Sequence, residues 1–218
     1  MKSNKLVFVL SALMLGTQAC TDLTEKTYDV IPTDKFGNTA DQQAALIGPL
    51  YNALGDYWEN HFWLNTTTDE QMIPTRGGDW SDGNQWVRTY THTWDPILDN
   101  GRFNGTWTWC YNTISKINIQ LPNVTDKGTI AELRALRAMF HYQAMDYFGN
   151  VIIAEDAAVL SPKQSTRAEV FAWIEKELLA AYPDLSETVG GAYYTRMNKY
   201  AVDMILAKLY LNAQVYTG

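Results

Sequence analysis

The sequence is short of the residues that most often announce chemistry. It holds 2 cysteines and 3 histidines. His61, His92 and His141 do not fall at metal-ligand spacing, and Asp79-x-x-Asp82-Gly83-Asn84 lacks the alternating oxygen ligands of a calcium loop. No metal is expected. There is no Gly-x-Ser-x-Gly elbow, no His-Glu-x-x-His helix and no phosphate loop. The carboxylates of Asp69 and Glu70 are adjacent, whereas a glycosidase holds two carboxyls across its substrate. Neither catalysis nor a cofactor is expected. Charge is sparse at 19% of residues, and basic residues are the minority, 17 against 24 acidic. Without a basic run, that balance argues against nucleic acid as a partner and against an electrostatic hold on anionic lipid. At 46% hydrophobic, the 218-residue chain can still bury a sizeable core, so one compact unit is expected.

The apolar run from Leu6 to Leu15, behind Lys2 and Lys5, is about half as long as a bilayer-spanning helix needs. With small and polar residues after it, the run reads as a signal peptide over 1–19. Cys20, directly after Gly16-Thr17-Gln18-Ala19, is placed as the acylated first residue of a lipoprotein, although Thr17 stands where bacterial lipoboxes usually carry leucine. A competing reading pairs Cys20 with Cys110, which sits in an aromatic helix and suits the role of a small buried hydrophobe. Residues 20–40, with Pro32 and no sustained period, read as a lipidated tether, so membrane contact is through the lipid anchor only.

From 41 to 218 the periodicity predicts an all-α fold. One helix spans Asp41 to Trp58, with Gly48-Pro49 expected to kink or break it. A second spans Asn104 to Gln120. A third spans Asp126 to Phe148, with Thr125 or Asp126 as its cap and Gly149-Asn150 closing it. In that helix Leu133, Leu136, Phe140, Ala144 and Tyr147 share one face, and Glu132, Arg134 and Arg137 are expected elsewhere on its surface. His141 reads as a hydrogen-bonded packing histidine. The capping box Thr166-Arg167-Ala168-Glu169 opens a fourth helix that stops near Tyr182-Pro183. The last, Asn198 to Val215, is apolar nearly all round and expected to be buried. Small residues such as Ala131, Ala135 and Ala138 permit close approach, which suggests tetratricopeptide-like helical hairpins, although the helix starts do not keep the even period of about thirty-four residues.

What the chain has in abundance is flat rings, 8 tryptophans and 13 tyrosines. Many fall between Glu59 and Gly101, where periodicity vanishes and a long irregular loop is expected; loops of that length are usually functional or disordered. A sugar ring offers an apolar C–H face and a rim of hydroxyls, so its site needs exposed aromatic planes beside carboxylates, amides and arginine. Trp80, Trp86 and Trp94 can supply planes, and Asp69, Arg76, Asp79, Asp82 and Asn84 can bond hydroxyls. Each tryptophan is equally open to a second reading, as a pin holding the loop to the helices. Trp107 and Trp109, on a helix, read as core.

Several stretches together carry a resemblance. They are Leu50-Tyr51-Asn52-Ala53-Leu54, Thr68-Asp69-Glu70, Gly77-Gly78-Asp79-Trp80, and Glu132-Leu133-Arg134-Ala135-Leu136-Arg137-Ala138 leading to Asp146-Tyr147-Phe148-Gly149-Asn150-Val151. To these is added Ala207-Lys208-Leu209-Tyr210-Leu211-Asn212-Ala213. The chain resembles the amino-terminal part of SusD/RagB-family proteins over nearly its whole length, most specifically from Ala131 to Val151. Family members are roughly twice as long, so the helical domain over 41–218 reads as truncated at its carboxy terminus. The resemblance implies a lipid-anchored, non-enzymatic protein of the outer membrane, exposed on the cell surface. Such a protein binds an oligosaccharide and passes it to a SusC-like TonB-dependent transporter. The rival reading is a helical-repeat lipoprotein that binds another protein and uses its aromatic loop only structurally; a surface glycoside hydrolase ranks third.

Overall fold

Asp126 opens the longest helix among the described residues by local chemistry. Its carboxylate accepts hydrogen bonds from the Thr129 N–H at 2.8 Å and the Thr129 hydroxyl at 2.9 Å, satisfying an amide that a first helical turn leaves unpaired. The helix runs Lys127–Phe148 and ends at Gly149, whose φ is 78°. A Cβ at that position would approach the flexible end of the Arg167 side chain to 3.1 Å, a contact that can give way, so it is the backbone conformation that calls for glycine.

The computed structural model describes residues 39–157 and 162–218. The expected signal peptide, Cys20 and nearly all of the tether lie outside those residues. Numbered in chain order, the helices are α1 (Ala40–Asn52), α2 (Tyr57–Asn65), α3 (Gln85–Tyr90), α4 (Asn100–Gln120), α5 (Lys127–Phe148), α6 (Arg167–Ala181), α7 (Lys199–Leu211) and α8 (Ala213–Thr217). Two short strands, β1 (Val151–Ile152) and β2 (Gln164–Ser165), pair antiparallel with Val151 opposite Ser165. α5 packs against both α4 and α6. Ile114, Ile117, Leu133, Leu136, Phe140, Ile174 and Leu178 are fully buried in their common core, each such side chain contributing about 1.5–3 kcal/mol by leaving water. The result is the expected all-α stack of helical hairpins. The capping box is present as read, with the Thr166 side chain and Glu169 each bonding the other's backbone N–H. Among the described residues no helix is long and apolar enough to cross a membrane. Cys110 is buried and free, burial pushing its thiol up to about 12.

Four expectations need correcting. Pro49 does not break α1, which continues to Asn52 before a 3-10 turn, Ala53–Asp56. Pro49 and Ala45 both face water, so the carbonyl that loses its helical partner can turn to solvent. The expected loop from Glu59 to Gly101 is not one loop, because α2 reaches Asn65, a 3-10 turn and α3 interrupt it and α4 begins at Asn100, leaving two irregular stretches, 66–81 and 91–99; rings on both sides of α2 conceal its period. α7 buries only Val202, Leu206 and Leu209, while Tyr200, Met204 and Leu211 face out, Leu211 at 84% exposure. Glu132 and Arg137, expected at the surface, are buried. Glu132 receives Arg196 through two hydrogen bonds of 2.9 and 2.7 Å and the Tyr51 hydroxyl at 2.8 Å. Glu177 receives Arg134 at 3.0 and 2.8 Å and Arg137 at 2.5 Å. Pairing of this kind is what allows a charge to leave water.

Candidate functional site

α2 displays rings on two sides. Trp63 turns inward and is buried, while Trp58, 69% exposed, lies tilted against Phe62 with centroids 5.3 Å apart. Phe62 meets Trp86 edge-on at 6.1 Å, and Trp86 meets Trp80 at 5.9 Å. Trp86, offered above as a stacking plane, is buried. Its indole N–H donates to Asp82 Oδ2 at 2.6 Å and the Arg102 guanidinium lies 4.9 Å from its centroid. It is the pin, and Trp80, 37% exposed, is the plane that rests on it. The turn carrying Trp80 holds non-glycine residues at positive φ, Trp80 at 58°, Asp82 at 36° and Asn84 at 64°. Each such conformation costs about 1–3 kcal/mol, and strain of this sort collects at ligand sites.

Trp94 belongs to a second ring cluster. It is 47% exposed, edge-on to Phe103 at 5.5 Å and tilted to His92 at 5.7 Å; Phe103 in turn meets Trp63 at 5.2 Å. Arg88 joins the two clusters. It donates to both Asp99 oxygens at 2.8 and 2.6 Å and to the Gly83 carbonyl at 2.5 Å, tying the Trp80 turn to the loop that bears Trp94. The Arg88 hydrogen bonds hold the Asp99 carboxyl below its ordinary value. Asp99 also accepts the Asp95 N–H at 2.8 Å, and Asp95 accepts the N–H groups of Ile97 and Leu98. At the near end, a His92 ring nitrogen bonds the Thr67 carbonyl at 2.7 Å. Replacing Arg88 with methionine is therefore expected to speed amide exchange at Asp95, Ile97 and Leu98 while helical circular dichroism holds. Unchanged exchange at all three would show that the loop does not depend on the clamp.

Asp69, Arg76, Asp79, Asp82 and Asn84 are all exposed. Arg76 and Asp79 close a tight turn over Gly77-Gly78 through paired backbone hydrogen bonds of 3.0 and 2.9 Å, leaving their side chains free. Asp82 is committed to Trp86, and Asn84, in the left-handed conformation, opens α3. The structure thus brings together Trp80, Asp82 and Trp86, and links Trp94 to them through Arg88 and Asp99. No hydrogen bond or ion pair among the described residues joins the Asp69 side chain to either cluster. Sequence reading missed Trp58, although its spacing to Phe62 is helical, and missed Arg88, Asp99 and Arg102, whose roles come from distant partners. Beside these rings a recess of about 410 Å³ opens between α2 and α4, lined by Asp56, Glu59, Asn60 and Arg102. Exposed rings flanked by free carboxylates and a guanidinium can stack an apolar face while bonding its polar rim. Among the described residues no three His, Cys, Asp or Glu side chains are grouped to hold a metal.

Fold and surface together define an all-α, tetratricopeptide-like scaffold that presents an aromatic face. Comparison with known proteins places it more closely. Residues 25–211 match the SusD-like family described as starch-binding and associating with the outer membrane, and the chain belongs to that family. Starch-binding protein SusD of Bacteroides thetaiotaomicron is 28% identical over 235 aligned positions, which cover 96% of this chain and 41% of that protein. A laminarin-binding SusD-like protein superposes with a TM-score of 0.70 at 23% identity, over 82% of this chain and 41% of the other. A SusD-like protein from Bacteroides fragilis gives 0.69 at 16% identity, over 84% and 37%. A structure with xylogluco-oligosaccharide gives 0.61 at 22% identity, over 77% and 34%. These likenesses show the fold, and the chain spans about two fifths of the curated relative's length.

Proposed function

We propose that this protein captures oligosaccharide at the cell surface and delivers it, without cleaving it, to a SusC-like TonB-dependent outer-membrane transporter. Acylated Cys20 and the tether over 20–40 hold it to the membrane. The observation that carries the reading is the pair of exposed planes, Trp80 and Trp94, each seated edge-on or tilted on a second ring and joined through Arg88. Rings fixed in advance lose little freedom when a ligand arrives. Arg76 and Asp79 supply free donors and acceptors on the turn beside Trp80. Membership of a family described as starch-binding supports the ligand class.

The test is isothermal titration with oligosaccharides of starch, laminarin and xyloglucan, alongside an assay for new reducing ends and co-purification from outer membranes. At least one series binds and none is cleaved. Trp80→Ala and Trp94→Ala each weaken binding by about 2 kcal/mol, roughly thirtyfold in Kd, with the melting temperature little changed. Loss of melting temperature in step with binding would assign the rings to packing instead. The exposed apolar side of α7 favours a second reading, docking of a protein partner. Co-purification without any sugar binding would select it.

A further inference from the structure

A groove lies between α2, the carboxy-terminal half of α5, and α7, and its two chambers are chemically unlike. One, of about 360 Å³, is walled by Leu54, Met139, Met204 and Ile205. The other, of about 270 Å³, presents His61, Asn65, Thr67, Thr68, Asp146 and Tyr147. They adjoin, since Tyr57, Tyr142, Gln143 and Lys208 line both.

Gln143 stands where the two chambers meet. Its residue is only 7% exposed, yet among the described residues neither end of its carboxamide has a hydrogen-bond partner. The amide is not enclosed; it opens into the groove, where water or a ligand can bond it. On the same helix both nitrogens of His141 are already bonded within the protein. The Gln143 amide sits at the junction of the chambers with one donor group and one acceptor available to a ligand. The Lys208 ammonium is likewise free, and Asp146 keeps one oxygen while the other accepts the Tyr216 hydroxyl at 2.6 Å.

The chemistry of the walls selects among ligands. A free oligosaccharide would have to desolvate hydroxyls against Leu54, Ile205 and two methionines with no return bonds. A bare hydrocarbon would leave the second chamber's amides, hydroxyls and charges without a match. Met139 and Met204 are pliable and polarisable, suited to flat apolar groups of varied outline. Tyr57 stacks on His61 with centroids 5.4 Å apart and planes within 13°, giving the polar chamber an aromatic wall as well.

We propose that this groove binds an amphipathic glycoside, its sugar among Asn65, Thr67, Thr68 and Asp146, its apolar aglycone against Met139 and Met204, and the Gln143 carboxamide bonding the linkage between them. The site is separate from Trp80 and Trp94 and does not depend on oligosaccharide capture there. The experiment is titration of the full chain with 4-nitrophenyl β-glucoside, methyl β-glucoside and 4-nitrophenol. The first binds at least about tenfold more tightly than either half. Gln143→Leu lowers that affinity about tenfold while the melting temperature holds or rises, because the amide it removes has no protein partner to lose. Met204→Trp fills the apolar chamber and abolishes binding, whereas Trp80→Ala leaves it unchanged. Equal affinity for 4-nitrophenol and the glucoside, no binding of any probe, loss in Trp80→Ala, or a fall in melting temperature in Gln143→Leu would each overturn the proposal. The last of these would show the amide to be structural.

Discussion

Replacing Glu177 with alanine is expected to destabilise the fold by about 3–5 kcal/mol. The carboxylate is shared by Arg134 and Arg137, and the Arg137 side chain is nearly as buried as its partner. Without it, Arg137 retains the Asn118 side-chain oxygen, the Glu155 carbonyl and the face of the Trp173 ring, none of which neutralises a guanidinium out of water. Urea unfolding with a constant m value reads the loss directly. A triple change, Arg134→Met with Arg137→Met and Glu177→Leu, is the informative companion, because removing the whole charge set together with its desolvation penalty is often close to neutral. If Glu177→Ala cost no more than the triple variant, the pairing would carry no weight in the native state.

The second large effect is acid lability through His141. This ring is fully buried. One nitrogen bonds the Arg137 carbonyl at 2.9 Å and the other accepts the Ala154 N–H at 3.0 Å. The acceptor role fixes Nε2 as unprotonated, so Nδ1 carries the proton and the ring is neutral. Burial, above all, lowers its pKa to about 4, with Arg137 close by adding to the effect. In the unfolded chain a histidine takes up its proton near pH 6.5. Between about pH 6.5 and 4 the unfolded state therefore binds more protons than the folded one, and stability falls as the pH is lowered, by about 3 kcal/mol in all. Glu177 adds a further loss at lower pH. Burial pushes its carboxyl up, but the hydrogen bonds and charges of Arg134 and Arg137 outweigh that and hold it below its ordinary value, so its contribution is present above the usual carboxylate range and disappears in stronger acid. In His141→Asn the slope of stability against pH between 6.5 and 4 is expected to flatten. An identical slope in both proteins would place the acid sensitivity elsewhere.

The features legible in the sequence are those decided by residues close together in the chain. Asp126, Thr166 with Glu169, and Asn198 were readable as helix starts because a cap is a contact over three positions. The apolar face of α5 was readable from its spacing for the same reason. The burial of Glu132 was not, since its partner Arg196 lies 64 positions away, and Arg137 meets Glu177 across 40. Periodicity assigns a charge to the surface unless a counter-charge is known to arrive. Among the candidate ligand residues, Trp80 and Trp86 looked equivalent as residue types. What separates them is that Phe62 from another helix, the Asp82 carboxylate and the Arg102 guanidinium converge on Trp86 and leave Trp80 above it. α7 looked buried because its composition is apolar all round, but composition cannot tell which side the neighbouring helices reach.

The bonds that fix the Trp80 turn and the Trp94 loop run mostly within residues 66–99. Arg88 reaches Gly83 and Asp99, Asp82 holds Trp86, and His92 holds Thr67. The charge pairs that fix the helices run among Glu132, Arg134, Arg137, Glu177 and Arg196. The segment is attached to the helices instead through Phe62 and Arg102 on Trp86, Phe103 on Trp94, and hydrogen bonds from Arg102 to Gln85 and from Gln71 to the Phe62 carbonyl, all of them away from its outer turn. Its tip at Gly77-Gly78 can drift in length or composition without disturbing the scaffold, which lets selectivity diversify independently of foldability and makes that turn the natural place to graft a reporter.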